Sequence, residues 1–328
     1  MSHTLSRRAF GMLGLAALAS VPHGAFAQTA LPKGPVTLVV PFAAGGATDI
    51  VSRHIAKRLS EVIGQSVIVD NIAGAGGAIG AQRVAKSAPN GQTLLMGTVS
   101  THAINPLIQK VPTYDPVKDF TPVSNLAIVP NVLLVSNSVP AKSVRELIDL
   151  MKATPGKYNY GSSGVGTPLH LSGELFKNMA GVQADHIAYR GGAPAMNDLV
   201  AGQIPMMFDV LTGAASFIKA GSIRALGGSS KTRSPAFPEI PTLDEAGLPG
   251  FETYTWNAIF GPAGMPMDVT KALSEALQKV IADPDIKQKL LELSATPVGS
   301  NSAGLARHVL AEHAKWKPIV DRIGLKID

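Results

Sequence analysis

Three short segments of this chain combine glycine with hydroxyl or carboxyl side chains in a way that suits holding an anion. They are Pro41-Phe42-Ala43-Ala44-Gly45-Gly46-Ala47-Thr48-Asp49, Gly161-Ser162-Ser163-Gly164-Val165-Gly166-Thr167-Pro168 and Tyr189-Arg190-Gly191-Gly192-Ala193-Pro194. Glycine lets backbone N–H groups approach a ligand that a Cβ would hold off, and successive N–H groups make a concave nest of positive potential. The chemistry on offer is solvation of a carboxylate by main-chain donors. In the first segment the Gly45-Gly46 pair supplies the close approach, and Thr48 or Asp49 can cap a helix starting there. The second adds the hydroxyls of Ser162, Ser163 and Thr167, with Pro168 at a first helical position. In the third, Arg190 is either a charge partner for the ligand or a surface ion-pair residue, followed by Gly191 and Gly192. Asp209, closing Met206-Met207-Phe208, either accepts from a ligand amine or hydroxyl or caps the next turn. Gly97-Thr98-Val99-Ser100-Thr101-His102 places more hydroxyls on the same rim, Ser100 among them; His102 is either a ligand donor or an incidental loop histidine.

Catalytic patterns fail at specific positions. A nucleophilic Ser162 or Ser163 would want G-x-S-x-G, but Tyr160 stands two before Ser162 and Val165 two after Ser163. The glycines at 74, 76, 77 and 80 miss a dinucleotide fingerprint because Ile79 occupies a required glycine position. His54, His102, His170, His186, His308 and His313 show neither H-E-x-x-H nor any paired spacing, so no metal site and no cofactor are expected. The expectation is a binding protein and not an enzyme.

These segments matter only if strands and helices aim them at one place. From Pro35 onward short apolar runs alternate with longer amphipathic ones, the signature of βαβ units and a mostly parallel sheet. Val36 to Val40, Val67 to Val69 and Thr93 to Met96 read as strands, with Val51, Ile55, Leu59 and Val62 at helical spacing between the first two. A proline-spaced stretch from Pro106 to Pro122 reads as a connection too irregular for the core. A second series starts at Val132 to Val135 and runs to a strand at Ile223 to Leu226; an extended return follows at Tyr254 to Phe260. The remainder is helical, with Asp268 as one expected cap and Ser302 leading into the last helix. In open α/β sheets ligands sit beyond the carboxyl ends of strands, at helix N-termini, and each glycine segment lies just after a strand.

At 328 residues the chain suits two lobes: residues 31–127 with 253–328, and residues 128–252, joined by two crossing strands that act as a hinge. The N-terminus reads Ser6-Arg7-Arg8-Ala9-Phe10, an apolar run from Gly11 to Val21, and Ala25-Phe26-Ala27, which predicts a signal peptide over residues 1–27. The arginine pair favours twin-arginine export, and the short apolar run also fits the general secretory route. No stretch reaches the ~20 apolar residues of a spanning helix. The chain has no cysteine, so no disulfide or thioether lipid anchor can form. A formal charge of +6 without basic runs suits steering of anionic ligands and argues against nucleic acid as a partner. We expect an exported, soluble monomer.

The first glycine segment, Asp70-Asn71 with Gly74-Ala75-Gly76-Gly77, Tyr160-Gly161-Ser162, Tyr189-Arg190-Gly191-Gly192, Phe208-Asp209, Ile223-Arg224-Ala225-Leu226, Pro238-Glu239-Ile240-Pro241-Thr242 and Trp256-Asn257-Ala258-Ile259-Phe260-Gly261-Pro262-Ala263-Gly264 occur in this order. The ordered set resembles the tripartite tricarboxylate transporter receptors, also called Bug proteins, over nearly the whole mature chain. The resemblance implies an α/β periplasmic binding protein of the two-lobed flytrap type (type II). It implies a carboxylate held by main-chain amides and ordered waters, with contacts at Phe42, Ala43, Gly45, Gly46 and Asp49 from one lobe and Ser162, Ser163, Gly164, Thr167 and Asp209 from the other. Its ligands would be di- or tricarboxylates, acidic amino acids or aromatic acids, delivered to a membrane permease. Two other readings remain: a sensor that presents its closed form to a signalling partner, and a secreted α/β hydrolase, suggested only by the serine-rich loop.

Overall fold

The computed structural model describes Met1, Leu31 and residues 33–326; apart from Met1, the expected signal peptide lies outside the described residues. Strand β1 (Val36–Val40) pairs in parallel with β2 (Val67–Asn71) and β3 (Thr93–Thr98). Four of β1's five residues are buried, as expected for a strand covered on both faces. Helix α1 (Ala47–Ile63) covers one face with Val51, Ile55 and Leu59, all buried, and ends at Gly64 in the left-handed conformation. Helix α2 (Ala78–Ala85) follows β2 and a single 3-10 turn at Ala75–Gly77.

The second lobe repeats the device. Strands β5 (Asn159–Ser162), β6 (Asp185–Ala188) and β7 (Met206–Val210) lie parallel, with β5 between the other two. Between them run α5 (Pro168–Ala180) and α6 (Gly192–Val200), and α4 (Val144–Ala153) precedes β5. Then α7 (Leu211–Lys219) leads to β8 (Ile223–Gly228).

What joins the lobes is longer than the sequence suggests. Strand β4 runs unbroken from Phe120 to Ser136, where the sequence predicts an irregular connection up to Pro122 and a strand only from Val132. Two prolines prompt that shorter reading, and both sit where a proline costs the sheet little. The register shifts just after Pro122, between it and Ser124, and Pro130 closes the ladder with β9 (Tyr254–Pro262). From Asn131 onward β4 takes β7 and β8 as partners instead. The proline-spaced stretch before it also holds a short helix, α3 (Asn105–Ile108), entered through a single π turn at Ser100–Ile104.

The return crossing passes through Thr253 into β9. There Asn131 Nδ2 donates to Thr253 Oγ1 at 3.2 Å and to Ser172 Oγ at 3.3 Å, and all three residues are buried. The chain then closes with α8 (Met267–Ala282), α9 (Pro284–Glu292), the two-residue strand β10 (Thr296–Pro297) and α10 (Ser302–Ile323), packed on the first lobe. Asp268 does not cap α8. The cap position is Pro266, and Asp268 Oδ1 accepts from the neighbouring Val269 N–H.

Strand β9 is held from outside by α10. The period of two puts Tyr254 and Trp256 on one face, where the buried Glu312 carboxylate accepts from Tyr254 Oη at 2.6 Å and from Trp256 Nε1 at 3.1 Å. Trp316 Nε1 donates to the same oxygen at 3.2 Å, and Lys315 Nζ lies 3.6 Å from the Tyr254 ring centroid. A carboxylate with three donors is satisfied only as an acceptor. In Glu312→Gln the amide oxygen can still accept from both tryptophans and the amide nitrogen can donate to Tyr254 Oη, but charge-assisted hydrogen bonds become neutral ones, which should cost about 1–3 kcal/mol. Urea unfolding of that variant at neutral pH is the check, and an unchanged midpoint would show that the three contacts contribute nothing.

Candidate ligand-binding site

Four helix N-termini open onto one small cavity between the lobes. Its walls are Gly46, Ala47 and Thr48 at the start of α1, Thr167, Pro168 and Leu169 at α5, Gly192 at α6, and Asp209 and Val210 before α7. Phe42, Thr98, Ser163 and Thr255 complete it, and its volume is about 40 Å³, space for a few waters. The first N–H groups of a helix have no intrahelical acceptor, and those of α1, α6 and α7 also lack a side-chain cap. Only α5 is capped, by Thr167 Oγ1, which accepts from His170 N. The result is uncapped N–H groups and aligned dipole ends around a volume that an anion could fill.

A second chamber of about 210 Å³ adjoins the first and shares Phe42 and Ser163 with it. Its other walls are the turn Gly74–Gly77 of the first lobe and Gly164, Val165 and Ala188 to Arg190 of the second. Arg190 is exposed there, with no carboxylate within ion-pair distance among the described residues.

Asp209 is 3 % exposed, and its Oδ1 accepts from Val210 N–H at 2.8 Å. Burial pushes its carboxyl up to about 7, with that one backbone donor opposing. Space beside it is so limited that a Cβ on Gly192 would stand 2.9 Å from Asp209 Oδ1. Near neutral pH a large share of the carboxyl is therefore protonated, able to donate a hydrogen bond into an anion site.

Of the residues singled out by sequence, Phe42, Gly46, Ser163, Thr167, Gly192 and Asp209 line the inner cavity, and Gly164 and Arg190 line the outer one. The others line neither cavity. Asp49 does not cap α1, whose cap position is Gly46. It reaches back to accept from Gly45 N–H at 2.9 Å, and also meets Arg53 at 2.9 Å and Asn71 Nδ2 at 3.0 Å. Burial works to raise its carboxyl, but these donors, Arg53 foremost, outweigh it and hold the group below the usual carboxylate range. Ala43 N–H donates across the cleft to Arg190 C=O at 3.3 Å, against Gly191. Ser162 Oγ is fully buried, 2.6 Å from His186 Nε2 and accepting from Gly164 N–H, so its hydroxyl is closed inside the loop and lines neither chamber. His102 is in the aromatic core of the first lobe, stacked on Phe260 at 3.7 Å with its Nδ1 at Thr101; burial pushes it down to about 3. It faces neither chamber.

Ala47, Leu169 and Val210 line the cavity and carry no signal in the sequence, because a first-turn residue contributes its backbone whatever its side chain. Thr98 was legible only as a member of its loop. Its buried Oγ1 has no hydrogen-bond partner among the described residues, and it borders the cavity.

The lobes touch on both sides of the cavity. Ser100 Oγ, in the first lobe, can donate to Gly76 C=O and, at 3.0 Å, to Gly166 C=O in the second. Asn105 Nδ2 donates to Gly76 C=O at 3.2 Å. On the far side Thr212 Oγ1 donates to Leu293 C=O at 2.6 Å. Between the glycine turns the backbones meet directly: a Cβ on Gly76 would stand 2.2 Å from Val165 C=O.

The sequence profile described as "Tripartite tricarboxylate transporter family receptor" matches residues 51–325, and the chain belongs to that family. Its fold is similar to that of an R. palustris protein solved with adipate, at 40 % identity and a TM-score of 0.88, covering 90 % of this chain and 99 % of that one. It is similar to the periplasmic binding protein BugD, at 33 % identity and 0.87, covering 90 % and 99 %. It is similar also to MatC from Rhodopseudomonas palustris with bound malate, at 33 % and 0.85, covering 88 % and 100 %. The two-lobed α/β reading and the Bug resemblance are borne out, and the chain is a solute-binding receptor of this periplasmic family. Among the described residues no helix is long and apolar enough to cross a membrane.

The contact at Gly76 generates a test. Its φ of +59° and the missing room make any side chain both strained and obstructive. Gly76→Ala should leave a folded first lobe yet keep the lobes apart, lowering ligand affinity by more than about tenfold. Small-angle scattering with and without ligand reads this directly, and a variant that contracts on binding as the wild type does would refute it.

Proposed function

We propose that this receptor of the tripartite tricarboxylate transporter family binds a short dicarboxylate, one end at the four helix N-termini and the other in the outer chamber beside Arg190. The convergence of four helix starts on a cavity built by both lobes carries the reading. Main-chain donors to a charged group contribute ~1.5–3 kcal/mol each, enough in number to sustain micromolar binding without a buried cation. The relatives solved with adipate and with malate support a ligand carrying two carboxylates, and so does the division of the cleft into two chambers joined at Phe42 and Ser163. In this reading protonated Asp209 donates to the inner carboxylate, so binding takes up a proton. The ligand then stabilises the closed form by its differential affinity for it, and the closed form is what a membrane permease would recognise. The leader would deliver the chain to the periplasm.

Calorimetry of ligand-stripped protein against malate, adipate, longer dicarboxylates and the matching monocarboxylates tests this. Dicarboxylates should bind, and Arg190→Met should weaken them roughly fivefold to tenfold while leaving monocarboxylates unchanged. Because the Asp209 carboxyl titrates near 7 and donates only when protonated, affinity should fall as pH rises past that value. Asp209→Asn, which keeps a donor without a titration, should flatten that alkaline limb. The proposal fails if no acid in the panel binds, or if monocarboxylates bind as tightly as dicarboxylates.

A further inference from the structure

The loop Ser162–Thr167 lies on both the ligand chambers and the lobe contact, and it is suspended from two histidines that the ligand site does not use. The imidazoles of His170, on α5, and His186, on β6, stack with centroids 3.9 Å apart and planes 13° apart. Gly166 N–H donates to His170 Nδ1 at 3.3 Å. The same residue's carbonyl is the one Ser100 Oγ reaches from the other lobe at 3.0 Å. Gly166 has a φ of +75°, and a Cβ there would stand 2.4 Å from Ile108 Cδ1 and 2.5 Å from Asn105 Oδ1, so the position is tied to this one backbone shape. A single glycine thus links an imidazole of the second lobe to the hydroxyl through which the first lobe holds it.

The donor pattern fixes the state of His170. An N–H pointing at Nδ1 requires that nitrogen to be unprotonated, so the proton of the neutral ring is on Nε2. Protonation at Nδ1 would set two donors head to head and turn Gly166 away. His186 differs, since its Nε2 can either accept from Ser162 Oγ or donate to it, with Ser162 able to donate instead to Gly164 C=O at 3.2 Å. The groups facing the pair are Tyr160 on β5, with its ring centroid 5.0 Å from His186 and 6.5 Å from His170, and Glu174 and Lys177 on α5. Glu174 is occupied by Tyr160 Oη at 2.7 Å and Lys177 Nζ at 2.8 Å, so it offers His170 no counter-charge.

We propose that His170 is a proton-sensitive positioning residue: in its neutral form it fixes Gly166 for the Ser100 latch, and its protonation opens the receptor and releases the ligand. Burial, with Lys177 adding repulsion, holds the closed-state imidazole down at about 4. A loop turned away would return the ring to water and toward the ordinary value near 6.5. The closed form therefore binds fewer protons than the open one. Its advantage is complete above about 6.5 and is lost progressively as pH falls from there toward 4, the opposite direction from the Asp209 effect.

The test compares wild type with His170→Asn, whose Oδ1 can accept from Gly166 N–H but cannot titrate. With malate and adipate as probes, wild-type affinity should fall about twentyfold between pH 7 and pH 5 relative to the variant, the figure one proton with these two limiting values implies. Measuring the ratio at each pH removes ionisation of the probe and of Asp209, which both proteins share. His170→Leu, with no acceptor, should bind weakly at every pH. Backbone hydrogen exchange at Gly166, corrected for intrinsic rate, needs neither ligand nor variant: protection should drop in the wild type between pH 7 and pH 5. It stays informative if no dicarboxylate binds, which would sink the proposed ligand but leave this inference standing. Parallel pH profiles for wild type and His170→Asn, or unchanged Gly166 protection, would overturn it.

Discussion

The two lobes of this receptor meet backbone against backbone. The turn Gly74–Gly77 of one lobe and the loop Gly164–Gly166 of the other approach so closely that side chains at Gly76 or Gly166 would overlap the facing atoms. That approach bounds the cleft on one side. It completes the wall of the outer chamber and brings Ser100 within reach of the second lobe. The rest of the fold can be read as the apparatus that delivers the two turns to each other. Parallel strands set the loops at their carboxyl ends, and helices behind them turn uncapped N–H groups toward the gap.

The two connections decide how that delivery is repeatable. β4 pairs with β9 up to Pro130 and with β7 and β8 from Asn131 onward, so the lobes share one continuous strand whose change of partners marks the crossing between them. At that point Asn131, Ser172 and Thr253 form a buried polar cluster joined by hydrogen bonds. Glu312 grips Tyr254 and Trp256 just beyond it, fixing the return strand to the first lobe. A few residues at the end of one strand pairing and the start of the next are where a hinge between lobes is expected.

The alternation of strands and helices was legible because each element carries its own period, and the glycine loops were legible because positive φ and close approach leave few choices of residue. The longer β4 was not, since prolines at bulges and ladder ends look like breaks until the partner strand is known. Roles inside the loops were also hidden. Asp49 reads as a cap or a ligand contact, but its position four residues after Gly45 lets it tie down the turn that precedes its own helix. His102 stands in a loop rich in hydroxyls, yet a π turn rotates it into the aromatic core, which no local pattern announces. The pairing of His170 with His186 joins a helix to a strand and depends wholly on tertiary structure.

A receptor that must release its ligand gains from solvating it with amides rather than with a lysine. A buried cation in the empty cleft would pay for its own desolvation and would attract any anion, whereas uncapped helix ends are neutral when the lobes part and water can reach them. Among the described residues the inner cavity is lined by no lysine or arginine and by one carboxyl, whose burial keeps it partly protonated. In the proposed reading, charge selection would fall to the outer chamber, where Arg190 is exposed and solvent weakens its interactions. Such a division, in that proposed reading, would make the inner end a general carboxylate socket and leave the far end, together with the shape fixed on closure, to distinguish one acid from another.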